Sequence, residues 1–147
     1  MIKKSELAVK SFVEGNSCAQ AILTTYCSEV GLTQSHAYRI GAAFGGGMGR
    51  KQNTCGAITG GVVLLGMKHG NSKAGEPELK EQTSQIVFEF ISECEATLGC
   101  SSCKELLKID LKNPEEREIA KQSGLFDRVC NNAVEKTAVI LEKYLKK

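Results

Sequence analysis

The sequence predicts an all-α protein, a single-domain helical bundle of about six to eight helices spanning residues 1–147. Apolar residues recur with a period near 3.6 along most of the chain, and no segment alternates β-branched and polar residues long enough for a strand. Glycine or proline interrupts the pattern repeatedly, which divides it into separate helices. At 147 residues, 41% hydrophobic and 24% charged, the chain has the size and balance to bury one core.

The elements follow in order. A first helix over about 3–14 presents Leu7, Ala8 and Phe12 until Gly15 and Asn16 stop it. A second starts after Ser17, carries Ala21, Ile22, Thr25 and Tyr26, and ends at Gly31. The third runs from near Thr33 through Ala37 and Ile40 to Phe44, where Gly45, Gly46, Gly47 and Gly49 prevent continuation. A fourth spans Cys55 to His69 despite Gly56, Gly60 and Gly61. Each glycine costs a helix roughly 1 kcal/mol relative to alanine, so three together point to close approach by another backbone or a bound group. Pro77 opens a long fifth helix with Leu79, Thr83, Ile86, Val87, Phe90, Ile91 and Cys94 as its core stripe, closed by Gly99. A short helix over 103–108, another from Asn113-Pro114 to Gly124, and a last one over about 125–146 complete the bundle.

A net charge of +2 is too small for the basic footprint of a nucleic-acid binder. The longest apolar stretch, Ala57 to Met67, carries three glycines, Gly60, Gly61 and Gly66, and falls short of the roughly 20 residues that span a bilayer. The first fourteen residues are too charged for an export signal, so the expected compartment is the reducing cytosol, that is, a cytoplasmic protein.

Seven cysteines are the informative excess: Cys18, Cys27, Cys55, Cys94, Cys100, Cys103 and Cys130. In a reducing compartment such residues serve more often as metal ligands, redox groups or small buried hydrophobes than as structural disulfides. Three share one setting. Cys18 follows Ser17, Cys55 follows Thr54 and Cys103 follows Ser102, which places each as the first residue of a helix behind a hydroxyl N-cap. Ser17 with Gln20 and Ser102 with Glu105 also read as capping boxes. The free N–H groups and dipole of a helix start favour thiolate over thiol, and thiolate is the form that attacks and the form that binds metal. Cys27 and Cys94 lie on apolar faces and read as core.

Cys100 and Cys103 form a C-S-S-C pair, a spacing used by redox dithiols and by half of a zinc or iron–sulfur site. The thioredoxin-like use expects a preceding strand, which is missing. Lys104 stands where a haem-attachment motif has histidine, so covalent haem is excluded at this pair. The glycine run ahead of Arg50 and Lys51 lacks the spacing of a phosphate loop. Its expected use is to let backbone N–H groups approach sulfur near Cys55, with Arg50 and Lys51 stabilising an anionic centre. His69 reads as a favourable charge at a helix C-terminus, His36 stands alone, and Glu115 and Glu116 read as the acidic first turn of a helix.

With those residues placed, the chain resembles the redox-active family named for its C…CGAxxG…C…C pattern (C_GCAxxG_C_C). The resemblance covers nearly the whole chain and rests on Gly15-Asn16-Ser17-Cys18-Ala19-Gln20-Ala21, Cys55-Gly56-Ala57-Ile58-Thr59-Gly60, Cys103-Lys104-Glu105-Leu106, and Cys130. It implies that Cys18, Cys55, Cys103 and Cys130 are the functional set; Cys130 enters on this ground and on four-ligand logic, and Cys27, Cys94 and Cys100 stand outside the pattern. The family is also similar to the cluster-bearing part of split-Soret cytochromes, which implies an iron–sulfur centre.

Three functions remain open at this point. Four thiolates from separate helices, with Gly56 and Gly60 giving close approach, hold an iron–sulfur cluster or another thiophilic metal for electron transfer or sensing, with an unidentified redox partner. Alternatively, a metal-free thiol oxidoreductase uses Cys55 or Cys18 as attacking group and Cys103 or Cys130 as resolving group. In the third reading a helical interaction module uses its cysteines as core filler and forms a homodimer through an apolar face.

Overall fold

The computed structural model describes residues 1–147 and contains eight α-helices and no strand: α1 (Lys4–Val13), α2 (Cys18–Tyr26), α3 (Gln34–Met48), α4 (Gly56–His69), α5 (Pro77–Leu98), α6 (Cys103–Leu107), α7 (Pro114–Ser123) and α8 (Leu125–Leu145). The expected all-α bundle is therefore what forms. No helix is long and apolar enough to cross a membrane.

Helix α4 is apolar all round and takes the middle of the bundle, where Ala57, Ile58, Leu64 and Leu65 are fully buried. Around it pack α2, α5 and α8, while α1 lies in the angle between α2 and α8, and α3 closes against α2. The main core joins Ile22, Leu23 and Tyr26 of α2 to Phe90 of α5 and to Val134 and Leu141 of α8. The glycines expected to thin α4 do so by contact. A side chain at Gly61 would put Cβ 2.5 Å from Phe90 Cζ, and one at Gly60 would meet Ala19 O at 3.1 Å. A second, smaller cluster of Cys103, Leu107 and Leu111 lies apart, covered by Leu125, Phe126, Val129 and Cys130 of the first turns of α8.

Two local details differ from the sequence expectation. The second helix does not run α-helically to Gly31; residues Cys27–Val30 tighten into a 3₁₀ turn before Gly31 stops it in the left-handed region. The third helix runs right-handed to Phe44, as expected, and Gly45 then turns extended (φ −63°, ψ 143°). The chain then winds with positive φ through Gly46, Gly47, Met48, Gly49 and Arg50, and again at Gln52. The non-glycine members of that turn each hold a conformation costing about 1–2 kcal/mol.

The cost is met by tertiary hydrogen bonds. Gln52 is buried, donates through Nε2 to Ile109 O (2.8 Å) and accepts from Leu111 N (2.9 Å). Its backbone carbonyl accepts from Lys104 N, and Asn53 O accepts from Cys103 N at 2.7 Å.

The second difference concerns Cys55. Thr54 does not cap the helix; it forms an isolated antiparallel bridge with Ser102, and Cys55 is itself the N-cap of α4. Cys55 N donates to Ser101 O (2.7 Å). That bridge clamps the segment before α4 to the segment before α6, so the two cysteine-bearing helix starts lie side by side.

Candidate functional site

The four family-pattern cysteines reach one place from four helices. Cys18 opens α2, capped as expected by Ser17, whose hydroxyl accepts from Gln20 N while Gln20 reaches back to Ser17 N. Cys103 opens α6 behind Ser102, which accepts from Glu105 N; here only the serine half of the capping box forms. Cys55 precedes α4, and Cys130 comes in from the second turn of α8. All four line one enclosed, apolar cavity of about 30 Å³, closed by Leu106, Leu107, Val129 and Ala133. That is room for a water-sized occupant. Cys18, Leu107, Cys103 and Cys130 also form the floor of an open cleft of about 800 Å³. Cys55 does not reach that cleft and stands behind Cys18.

Cys18 and Cys55 act as a pair. A hydrogen bond from Cys55 is the largest influence on the Cys18 thiol and, against the opposing effect of burial, lowers its pKa to about 7. Backbone N–H groups of Ala19 on α2 and of Ala57 and Gly56 on α4 add to this. Two helix N-termini therefore converge on one sulfur. Gly56 makes the convergence sterically feasible: a Cβ there would lie 2.6 Å from Cys18 Sγ. Cys55 is pushed well above the ordinary thiol range, first by sharing its proton with Cys18, then by burial and the Cys18 charge. Above about pH 7 the pair carries one proton, with the charge on Cys18.

The helix-start argument thus holds for one cysteine of three. Burial raises Cys103 to about 11, the Cys18 charge adding to it, while the Gln52 side chain pulls the other way. A helix of five residues offers too little dipole to compensate. At Cys55 the charge of its neighbour outweighs its own helix. Burial, then the charges of Cys18, Cys103 and Asp127, push Cys130 up to about 12.

Other expectations also find their places. Cys27 and Cys94 are buried in the main core, and burial raises Cys94 to about 12. Cys100 lies outside both cavities. Gly60 packs against Ala19 and Ile22 one turn below the sulfur group and lines neither cavity. The glycine run approaches Ser17 rather than Cys55: Gly45, Gly46 and Gly49 line the cleft, and a Cβ at Gly45 would stand 3.0 Å from Ser17 Cβ. Arg50 lines the cleft and Lys51 does not. His69 bonds the Tyr144 carbonyl at 3.1 Å, remote from the sulfurs.

Sequence reasoning missed Arg117 and Lys121 of α7, which stand on the cleft wall, and Gln52, which ties the left-handed turn to residues 109–111. For the first two the available signal was their spacing of four residues on a short, very polar helix.

A family model described as "Putative redox-active protein (C_GCAxxG_C_C)" matches residues 16–144. The chain belongs to this family. Its redox character rests on that membership, and the matched region contains all four helices that carry the sulfur group. No curated protein and no solved structure matches the chain.

The donor set suits a thiophilic centre, since four sulfurs face one another with no carboxylate or imidazole among them. Their spacing does not suit a single ion. Sulfurs sharing one Zn²⁺ at about 2.3 Å each stand within roughly 4 Å of one another, and no three metal-ligating side chains of the chain are so grouped. A multi-iron cluster would set its own atoms between the thiolates, and the water-sized cavity would have to widen to admit them.

Proposed function

We propose that this redox protein works by thiol–disulfide exchange, with Cys18 as the attacking thiolate and Cys55 as the resolving thiol. One arrangement carries the reading: Cys18 lines both the open cleft and the inner cavity, whereas Cys55 shares only the inner cavity with it and holds its pKa down. An attacking thiol is most effective when its pKa lies near ambient pH, and Cys18 is held there. Its partner is kept protonated and shielded from the cleft, as a resolving group should be until the first disulfide forms. Cys103 and Cys130 remain thiols at neutral pH and wall the same pocket. In the test, protein purified without oxygen is alkylated across pH and, separately, oxidised with one equivalent of a small disulfide before mass mapping. Alkylation at Cys18 alone with a midpoint near 7, together with a Cys18–Cys55 disulfide, is the expected result. Scrambled pairing among the seven cysteines would overturn the reading.

A second reading is favoured by the shared lining of one apolar pocket by all four cysteines. Cys18, Cys55, Cys103 and Cys130 would each hold an iron–sulfur cluster, which when bound supplies one-electron transfer. The chain's part is to present four sulfurs, shield them with Leu106, Leu107, Val129 and Ala133, and aim backbone N–H groups at Cys18. Iron and acid-labile sulfide in protein purified without oxygen, lost on Cys103→Ser or Cys130→Ser, would establish this reading over the first. Metal-free protein with four free thiols at these positions would remove it.

A further inference from the structure

The cleft above the sulfur group carries a charge pattern that exchange chemistry alone does not explain. Arg50 comes from the left-handed turn, and Arg117 and Lys121 from successive turns of α7; all three line the cleft, with Glu118 as the one carboxylate among them. Glu118 is occupied by Gln122 Nε2 at 3.1 Å. The cations are unpaired: the ion pairs of the chain are Lys4–Glu29, Lys143–Glu93 and Lys147–Glu89, all elsewhere. Like charges gathered without counter-charge raise the free energy of the empty cleft and lower that of any anion entering it. Arg50 sits on the left-handed turn at positive φ, and its exposed side chain lines the cleft.

Size and lining narrow the ligand. About 800 Å³ is the volume of an organic ligand site, far larger than a simple oxyanion needs. Phe12, Leu111 and Phe126 line the same cleft beside the cations and the sulfurs and give it an apolar part. A fitting molecule therefore has acidic ends, an apolar part, and at its centre a group that reacts with sulfur.

We infer that the cleft binds small organic disulfides bearing carboxylates, held by Arg50, Arg117 and Lys121 with the S–S bond over Cys18. This rests on the exchange reading and names its substrate class. The Cys18 thiolate forms a bond to one substrate sulfur, the substrate S–S bond breaks, and the first half leaves as a thiolate. That thiolate takes its proton from solvent in the open cleft; Cys55 then loses its own proton to solvent, attacks Cys18 Sγ, and expels the second half as a thiolate. Two electrons pass from the two cysteines to the substrate, and the Cys18–Cys55 disulfide is reduced again by a dithiol donor.

The test compares three disulfides of similar length on the full-length reduced protein at low salt: 3,3′-dithiodipropionate (dianionic), 2-hydroxyethyl disulfide (neutral) and cystamine (dicationic). Released thiol is followed in a single turnover, and products are mapped by mass. The dianion is expected to react about tenfold faster than the neutral compound and the dication slower still, with the spread shrinking as salt is added. Arg117→Gln with Lys121→Gln should bring the dianion-to-neutral ratio close to one; both sites are on a helix surface where glutamine is well tolerated. Equal rates for all three disulfides in the unaltered protein would overturn the cleft assignment while leaving the exchange reading intact. Failure of every disulfide to yield a Cys18–Cys55 bond would remove both.

Discussion

The main core and the small cluster beneath α6 solve different problems, and the sulfur group lies on the seam between them. The main core gathers twenty-one buried residues from α1, α2, α3, α4, α5 and α8 and contributes Cys55, with Cys18 packed against it. The small cluster has three buried residues, contributes Cys103, and has Cys130 packed on it. One side of the site is therefore anchored in a thick apolar interior and the other in a thin one. Free energies of local opening follow buried contact, so the Cys103–Cys130 side is expected to open more readily than the Cys18–Cys55 pair.

The largest effect expected from breaking this contrast is in the main core. Phe90 is fully buried against Gly61 and meets Tyr144 edge-on at 5.8 Å. Phe90→Ala should cost about 3–5 kcal/mol, read by urea unfolding, with the alkylation midpoint of Cys18 unmoved in the fraction that stays folded. Leu107→Ala in the small cluster should cost less, about 2 kcal/mol, because that site lies close to the cleft and relaxes more easily. Its distinguishing sign is faster alkylation of Cys103 and Cys130 with Cys18 unchanged. Equal exposure of all four cysteines would show that the seam does not separate two stabilities.

Gly56→Ala sharpens the comparison at the seam itself. The added Cβ would stand 2.6 Å from Cys18 Sγ, so α4 or the sulfur must move. Overpacking costs about 1–3 kcal/mol, offset in part by the roughly 1 kcal/mol by which alanine favours a helix. The chemical consequence outweighs the stability change. With the α4 N-terminus displaced, Cys18 loses the Gly56 and Ala57 N–H groups and its alkylation midpoint shifts upward. An unchanged midpoint would mean that α4 plays no part in holding the thiolate.

The bundle was legible because its signals are local: periodic apolar positions, Ser17 and Asn113 as N-caps, Pro77 and Pro114 at first helical positions, and Gly99 and Gly124 as stops all lie within one turn of what they specify. The site was legible in part for the same reason. Ser17-Cys18-Ala19-Gln20 carries its own cap, and Cys18 behaves as that cap implies. What could not be read depends on partners distant in sequence. Whether Thr54 caps a helix was decided by its bridge to Ser102, and the left-handed turn is held by Gln52 reaching residues 109 and 111. The titration of Cys103 depended on burial under α8, which no local pattern shows.

The smallest expected effect is on the pH dependence of stability, and its sign separates the two sides of the seam. Cys18 has a folded pKa of about 7 against 9.0 for an ordinary thiol, so between these values the unfolded chain binds more protons there than the folded one. Stability from Cys18 is fully present above pH 9 and is lost as pH falls through 7. Cys103 and Cys130, at about 11 and about 12, work in the opposite direction. Above pH 9 the unfolded chain releases protons that the folded one keeps, and stability falls. Cys55 and Cys94 add to that fall. Urea midpoints under reducing conditions should therefore rise from pH 6.5 to a maximum between about 7 and 9 and then decline, because the four raised thiols already outweigh Cys18 before pH 9 is reached. Cys18→Ser should flatten the rising limb and keep the decline, whereas Cys103→Ser should soften the decline and keep the rise. A rising limb that survives Cys18→Ser would assign the shared charge to another group and separate the cleft from the thiolate placed at its floor.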